Sequence, residues 1–166
     1  MSVELYGHVI SLAFLPEMLI AYVLALPIAF DRERSQRSAG LRTFPIVSLA
    51  SCGFLLLARE ALAGDADALA RVLYGLMTGI GFIGGGAIIK QAGSTHGTAT
   101  AASIWSTGAI GAAVAFNRYG IALALALFTF LTLLVFKPIK DLMHDGPSAR
   151  ASKRSGQKDD DASTGD

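Results

Sequence analysis

From Val72 to Ile89, eighteen consecutive residues carry no charge. As a helix rising ~1.5 Å per residue this run is ~27 Å long, close to one bilayer core. Four further apolar runs occupy 9–30, 43–58, 98–116 and 121–136. Each is continuous rather than alternating, so each reads as a helix and not as a barrel strand. In hydrocarbon, every backbone amide must be bonded within the protein, which leaves helices as the form these runs can take. Composition supports this. Hydrophobic residues make up 52% of the 166-residue chain and charged ones 16%, where a soluble domain carries about 25% charged. Twelve of the 27 charged residues fall in 137–166. The fold class expected is an all-α polytopic membrane bundle of about five transmembrane helices.

Pro16 and Glu17 interrupt the first run and Pro27 lies near its far end. The spanning part is therefore expected to start near Leu15, with residues 1–14 as an interfacial segment. Residues 15–136 form the transmembrane domain. Residues 137–166, rich in Ser, Gly, Lys and Asp, read as a disordered polar tail. Glu4 precedes the first run and no basic residue does, the reverse of a signal-peptide n-region. Orientation follows from Lys and Arg. Arg32, Arg34, Arg37, Arg42, Lys90 and six basic residues of the tail fall on one side, against Arg59, Arg71 and Arg118 on the other. By the positive-inside rule the N-terminus is outside and the C-terminus cytoplasmic.

A net charge of +1 argues against nucleic-acid binding, and the single Cys52 excludes a disulfide scaffold. His8, His96 and His144 are far apart, and no Ser/His/Asp or Cys/His arrangement is readable. Neither an enzymatic activity nor a cofactor or metal is expected. Gly79-Ile80-Gly81-Phe82-Ile83-Gly84 spells G-x-G-x-x-G, but it lies inside an apolar run and not at a strand-to-helix turn. Close helix packing is the better reading. Gly75/Gly79 and Gly81/Gly85 are small-xxx-small pairs, and the consecutive Gly84, Gly85 and Gly86 could break or bend the helix. In the fourth run Thr100, Ser103, Thr107 and Gly111 share one helix face. Two readings stand there: interhelical hydrogen bonding, or the polar lining of a passage. Asp31-Arg32-Glu33-Arg34 reads either as a solvated anchor or as an ionic network, with Asp31 reaching Arg34 and Arg42 lying nearest the second span. Glu17 is an acid within a span, which makes it a functional candidate unless it is interfacial.

Three stretches, in this order, resemble the MgtC/SapB family of bacterial inner-membrane proteins. They are Asp31-Arg32-Glu33-Arg34 with Ala39-Gly40-Leu41-Arg42-Thr43, then Gly79 to Gly86, then Gly97 to Trp105. The resemblance covers roughly 15–136. Asp31 stands where Glu is more usual, and Thr98 where Leu is expected. Longer members carry a C-terminal soluble domain in place of this polar tail. The resemblance implies a multi-pass protein of the cytoplasmic membrane, linked to growth under magnesium limitation and to survival in host phagocytes. It implies regulation of other membrane machinery, F-type ATP synthase included, more than magnesium transport. Asp31, Arg32, Glu33, Gly40, Arg42, Thr43 and the span-three glycines carry over as functional positions. The partners expected are the lipid bilayer, other membrane proteins and a homo-oligomer. The alternative is a transporter or channel for Mg²⁺ or another small solute.

Overall fold

The computed structural model describes residues 2–5, 8–35, 39–91 and 94–144. Five helices account for most of them: α1 (Leu15–Arg34), α2 (Thr43–Ala61), α3 (Ala66–Gly86), α4 (Thr98–Ala115) and α5 (Tyr119–His144). Two short antiparallel hairpins, absent from the sequence expectation, complete the described chain. β1 (Ser2–Leu5) pairs with β2 (His8–Ser11), and β3 (Ile89–Gln91) pairs with β4 (Ser94–His96). The chain divides into two compact units, residues 1–131 and 132–166. Among the described residues the second contains only the last part of α5.

Local chemistry sets the helix ends. α1 opens at Leu15 with a proline in its first turn, where a missing N–H costs nothing. It continues through Pro27 to Arg34. α3 starts earlier than its apolar run because Asp65 caps it, its carboxylate accepting from the Ala68 amide at 2.8 Å. The glycine triplet does not break α3. The helix runs unbroken through Gly84 and Gly85 and ends at Gly86, so the triplet is its terminus. Gly97 carries the chain from β4 into α4 at φ +87°, and a Cβ there would meet the Ala87 carbonyl oxygen at 1.9 Å. Only glycine fits both demands. α5 continues to His144, eight residues past the point where a disordered tail was expected to begin. The rest of that expected tail, 145–166, lies outside the described residues.

Within the first unit α4 is the central helix, packed against α1, α2 and α3. Its core face holds Thr100, Ser103, Ile104, Thr107, Gly108, Gly111 and Val114, among others. Two glycines let neighbouring helices come close. A Cβ on Gly111 would sit 2.1 Å from the Ser48 carbonyl oxygen of α2, and one on Gly108 would sit 2.2 Å from the Ile80 side chain of α3. Ser48 Oγ donates to the Ala21 carbonyl of α1 at 2.8 Å. Ser106 and Thr129 share a 2.6 Å hydroxyl contact that ties α4 to α5.

The interior mixes large apolar side chains such as Phe44, Ile28 and Leu55 with many alanines, serines and threonines and one arginine, while Leu19, Val23, Ile46, Phe54, Leu57 and Phe82 lie on the outside. Hydrocarbon outside removes the drive to bury large apolar side chains, and small residues at the contacts allow backbones to pack. Three helical segments are long and apolar enough to cross a membrane: α2, α3 and Tyr119–Phe136 of α5. α1 and α4 fall outside that set. α1 carries Glu17 and the charged Asp31–Arg34 end, and α4 is built mostly of Ala, Gly, Ser and Thr.

Candidate functional site

The Asp31–Arg34 stretch ends α1, and Gly40–Thr43 opens α2, so the two halves of the first motif meet at one corner. Arg32 is buried and folds back on its neighbour: Nε donates to Asp31 Oδ2 at 3.0 Å, and Nη2 contacts the same oxygen. This is the one ion pair among the described residues. The expected Asp31–Arg34 pair is not formed. Arg34 lies on the exposed side of the last turn, and the Arg32 arm, reaching from the next position, takes the Asp31 carboxylate instead. Glu33 has a different role. Its Oε2 accepts from the Leu41 amide at 2.9 Å. Gly40 makes this approach feasible, because a Cβ there would lie 1.9 Å from that same oxygen. Glu33 thus fastens the end of α1 to the residues leading into α2. Arg42 is exposed at the α2 N-cap, and Thr43 is the first residue of that helix.

The six glycines of α3 separate by direction. Gly84 alone meets a neighbour, its Cβ position lying 3.1 Å from the Ala101 carbonyl oxygen of α4. At Gly75, Gly79, Gly81, Gly85 and Gly86 a Cβ would meet nothing within 4 Å beyond the helix itself among the described residues. At 100° per residue, Gly75, Gly79 and Gly86 share one face, while Gly81 and Gly85 fall on another. The Gly75–Gly79 face forms one wall of an apolar groove of about 580 Å³, lined also by Val47, Phe54, Val72 and Ile83. Only Ile80 and Gly84 of α3 are buried, and Phe82 is 85% exposed.

The polar face of α4 is in the core. Thr100, Ser103, Thr107 and Gly111 are all buried. Ser103 Oγ donates to the Ala99 carbonyl at 2.6 Å and Thr107 Oγ1 to the Ser103 carbonyl at 2.7 Å. Both hydroxyls are spent on carbonyls of their own helix. Trp105 points away from this face and is about half exposed.

At the opposite end from the Asp31 corner lies a cavity of about 600 Å³. The first turn of α1, the last turns of α2 and the α4–α5 turn meet there through Phe14, Glu17, Leu56, Arg59, Glu60 and Asn117. Glu17 Oε2 is shut off from solvent and has no hydrogen-bond partner among the described residues. Arg59 Nη1 donates to the Ala115 carbonyl, one of the free carbonyls that close α4. The sequence marks Glu17 as a candidate and uses Arg59 only to set orientation, and it singles out neither Glu60 nor Asn117. The adjacent Arg-Glu pair just past an apolar run was the available signal. No group of three or more His, Cys, Asp or Glu side chains able to hold a metal occurs among the described residues.

The pattern of the MgtC family matches residues 18–142. Protein SrpB of Synechococcus elongatus is 34% identical over 147 residues, covering 81% of this chain and 79% of its own length. Protein MgtC of Salmonella typhimurium is 28% identical over 142 residues, covering 85% of this chain and 60% of its own. YhiD of Escherichia coli K12, named as a candidate magnesium transporter, is 30% identical over 132 residues, covering 74% and 60%. The chain thus spans about 60% of the length of its MgtC and YhiD relatives. No solved structure matches it.

Proposed function

The chain belongs to the MgtC family, and on that premise we propose that it is a five-span protein of the bacterial cytoplasmic membrane serving adaptation to magnesium limitation. In this reading the N-terminus is outside and the C-terminus inside, the orientation that the Lys and Arg distribution supports. It performs no chemistry of its own. It acts by lateral helix contacts with another membrane complex, F-type ATP synthase being the first to probe.

The observation that carries this reading is the unoccupied glycine face of α3. Gly75 and Gly79 have open space where a Cβ would be, beside an apolar groove. A transmembrane helix of a partner can approach such a face to backbone distance, where dispersion takes over from the missing hydrophobic drive. The names of the MgtC and YhiD relatives support the magnesium link. The test is co-purification from native membranes with Gly79→Leu and, on the other face, Gly81→Leu. Both side chains have room in the monomer, so each variant should fold. Loss of partners in Gly79→Leu is expected, and retention of every partner in both variants would refute the contact.

A transporter for Mg²⁺ or another small solute is the second reading, favoured by the name of YhiD and by the acid Glu17 within α1. It predicts saturable flux in proteoliposomes that is lost in Ser103→Leu. The closed polar face of α4 supports the contact reading over this one.

A further inference from the structure

The Glu17 cavity has a composition that neither packing nor the contact reading uses. Three charged side chains, Glu17, Arg59 and Glu60, line one space, yet no Arg59 nitrogen lies within 4.0 Å of either carboxylate. One Glu17 oxygen is removed from water and unpartnered. A carboxylate oxygen in that state calls for a donor from outside the chain. Arg59 spends Nη1 on Ala115, which fixes its guanidinium at the rim of the cavity with further N–H groups to offer. The lining thus presents two acceptor carboxylates and one cation, a net negative site with a positive edge. Phe14 and Leu56 add apolar wall. The cavity sits where α1 begins, α2 and α4 end and α5 begins, so in a membrane it lies at head-group level.

We infer that this cavity binds a zwitterion bearing a primary ammonium and a phosphate, as in the head group of phosphatidylethanolamine. The ammonium donates to Glu17 Oε2 and to Glu60, and the phosphate takes the free N–H groups of Arg59. A primary ammonium has three donors, whereas the trimethylammonium of phosphatidylcholine has none, and phosphatidylglycerol has no cation. The inference rests on the membrane placement proposed above but not on any protein partner, so the two fail separately.

The test uses the purified full chain in a neutral detergent, with the thermal unfolding midpoint followed as lipid is added. Phosphatidylethanolamine should raise the midpoint at concentrations at least tenfold lower than phosphatidylcholine or phosphatidylglycerol require. Glycerophosphoethanolamine, the soluble head group, separates a lipid source from a free aminophosphate: an equal effect at equal concentration assigns the site to the free compound. Glu17→Gln alters the half-buried carboxyl and Glu60→Gln a solvent-facing one. Both should lose the selectivity, while Glu17→Gln without lipid should be at least as stable as the parent. Equal shifts from the three lipids, or full selectivity retained in Glu17→Gln, would overturn the inference.

Discussion

Two Gly→Ala substitutions, chemically identical and both within helices, should change stability in opposite directions. At Gly111 the new methyl would lie 2.1 Å from the Ser48 carbonyl oxygen, 2.9 Å from its carbon and 3.0 Å from Ser51 Cβ. Two of these are backbone atoms of α2 that cannot swing aside. Relief requires α2 and α4 to separate by roughly an ångström, and a gap of that size forfeits about a quarter to a half of the dispersion energy of each affected contact. In a bilayer this packing is the main source of helix association. We expect Gly111→Ala to destabilise by about 3 kcal/mol, the upper end for overpacking. Ser48 also holds Ala21, so the displacement reaches α1. At Gly79 nothing lies within 4 Å. There the exchange removes only a helix-weakening glycine and should stabilise by up to about 1 kcal/mol on soluble scales. Reversible unfolding in mixed micelles with increasing SDS reads both. Equal effects at the two sites, or Gly111→Ala within 0.5 kcal/mol of the parent, would refute the packing described for α4.

Asp31→Ala leaves the Arg32 guanidinium buried and unpaired and should cost about 3–5 kcal/mol, whereas Asp31→Leu with Arg32→Met should recover most of it; the same SDS titration measures both. Glu33→Ala and Gly40→Ala each remove the Glu33–Leu41 bond, at about 1.5–3 kcal/mol for a charged hydrogen bond. Because they break one interaction, the double variant should be little worse than either single one, and hydrogen exchange at the Leu41 amide should rise in all three. Ser106→Ala should cost only about 0.6 kcal/mol, typical of an interhelical hydroxyl contact in a membrane, and should leave the α4–α2 packing unchanged by cysteine cross-linking.

Helix positions were legible wherever an apolar run met a clear local boundary. α2 begins at Thr43 and α4 at Thr98, as the runs predict. α3 begins ahead of its apolar run because Arg71 reads as lying outside the span, whereas the Asp65 cap starts the helix at Ala66. α5 likewise runs past its apolar stretch, through Lys137 and Lys140 to His144. The glycine pattern announced close packing but not its address. Among the glycines within helices, Gly108 and Gly111 make the tightest approaches, while at five of the six α3 glycines a Cβ would meet nothing within 4 Å among the described residues. Small-xxx-small spacing fixes which residues share a face, not which face meets a neighbour. The corner at Asp31 was visible as a motif, but its pairing was not, since Arg32 reaches back to the adjacent residue, a geometry helix spacing does not suggest. The Glu17 cavity needs residues as distant as Asn117, and only tertiary assembly joins them.

The central claim, that α3 offers its open glycine face to a partner helix, is tested most directly by photo-crosslinking in living cells. A photoreactive side chain would be placed singly at Gly79, Ile83 and, as a core control, Thr107. The account predicts a discrete crosslinked membrane protein from positions 79 and 83 and none from 107. The absence of any crosslink from the α3 positions, in a protein shown to be inserted at normal abundance, would contradict it.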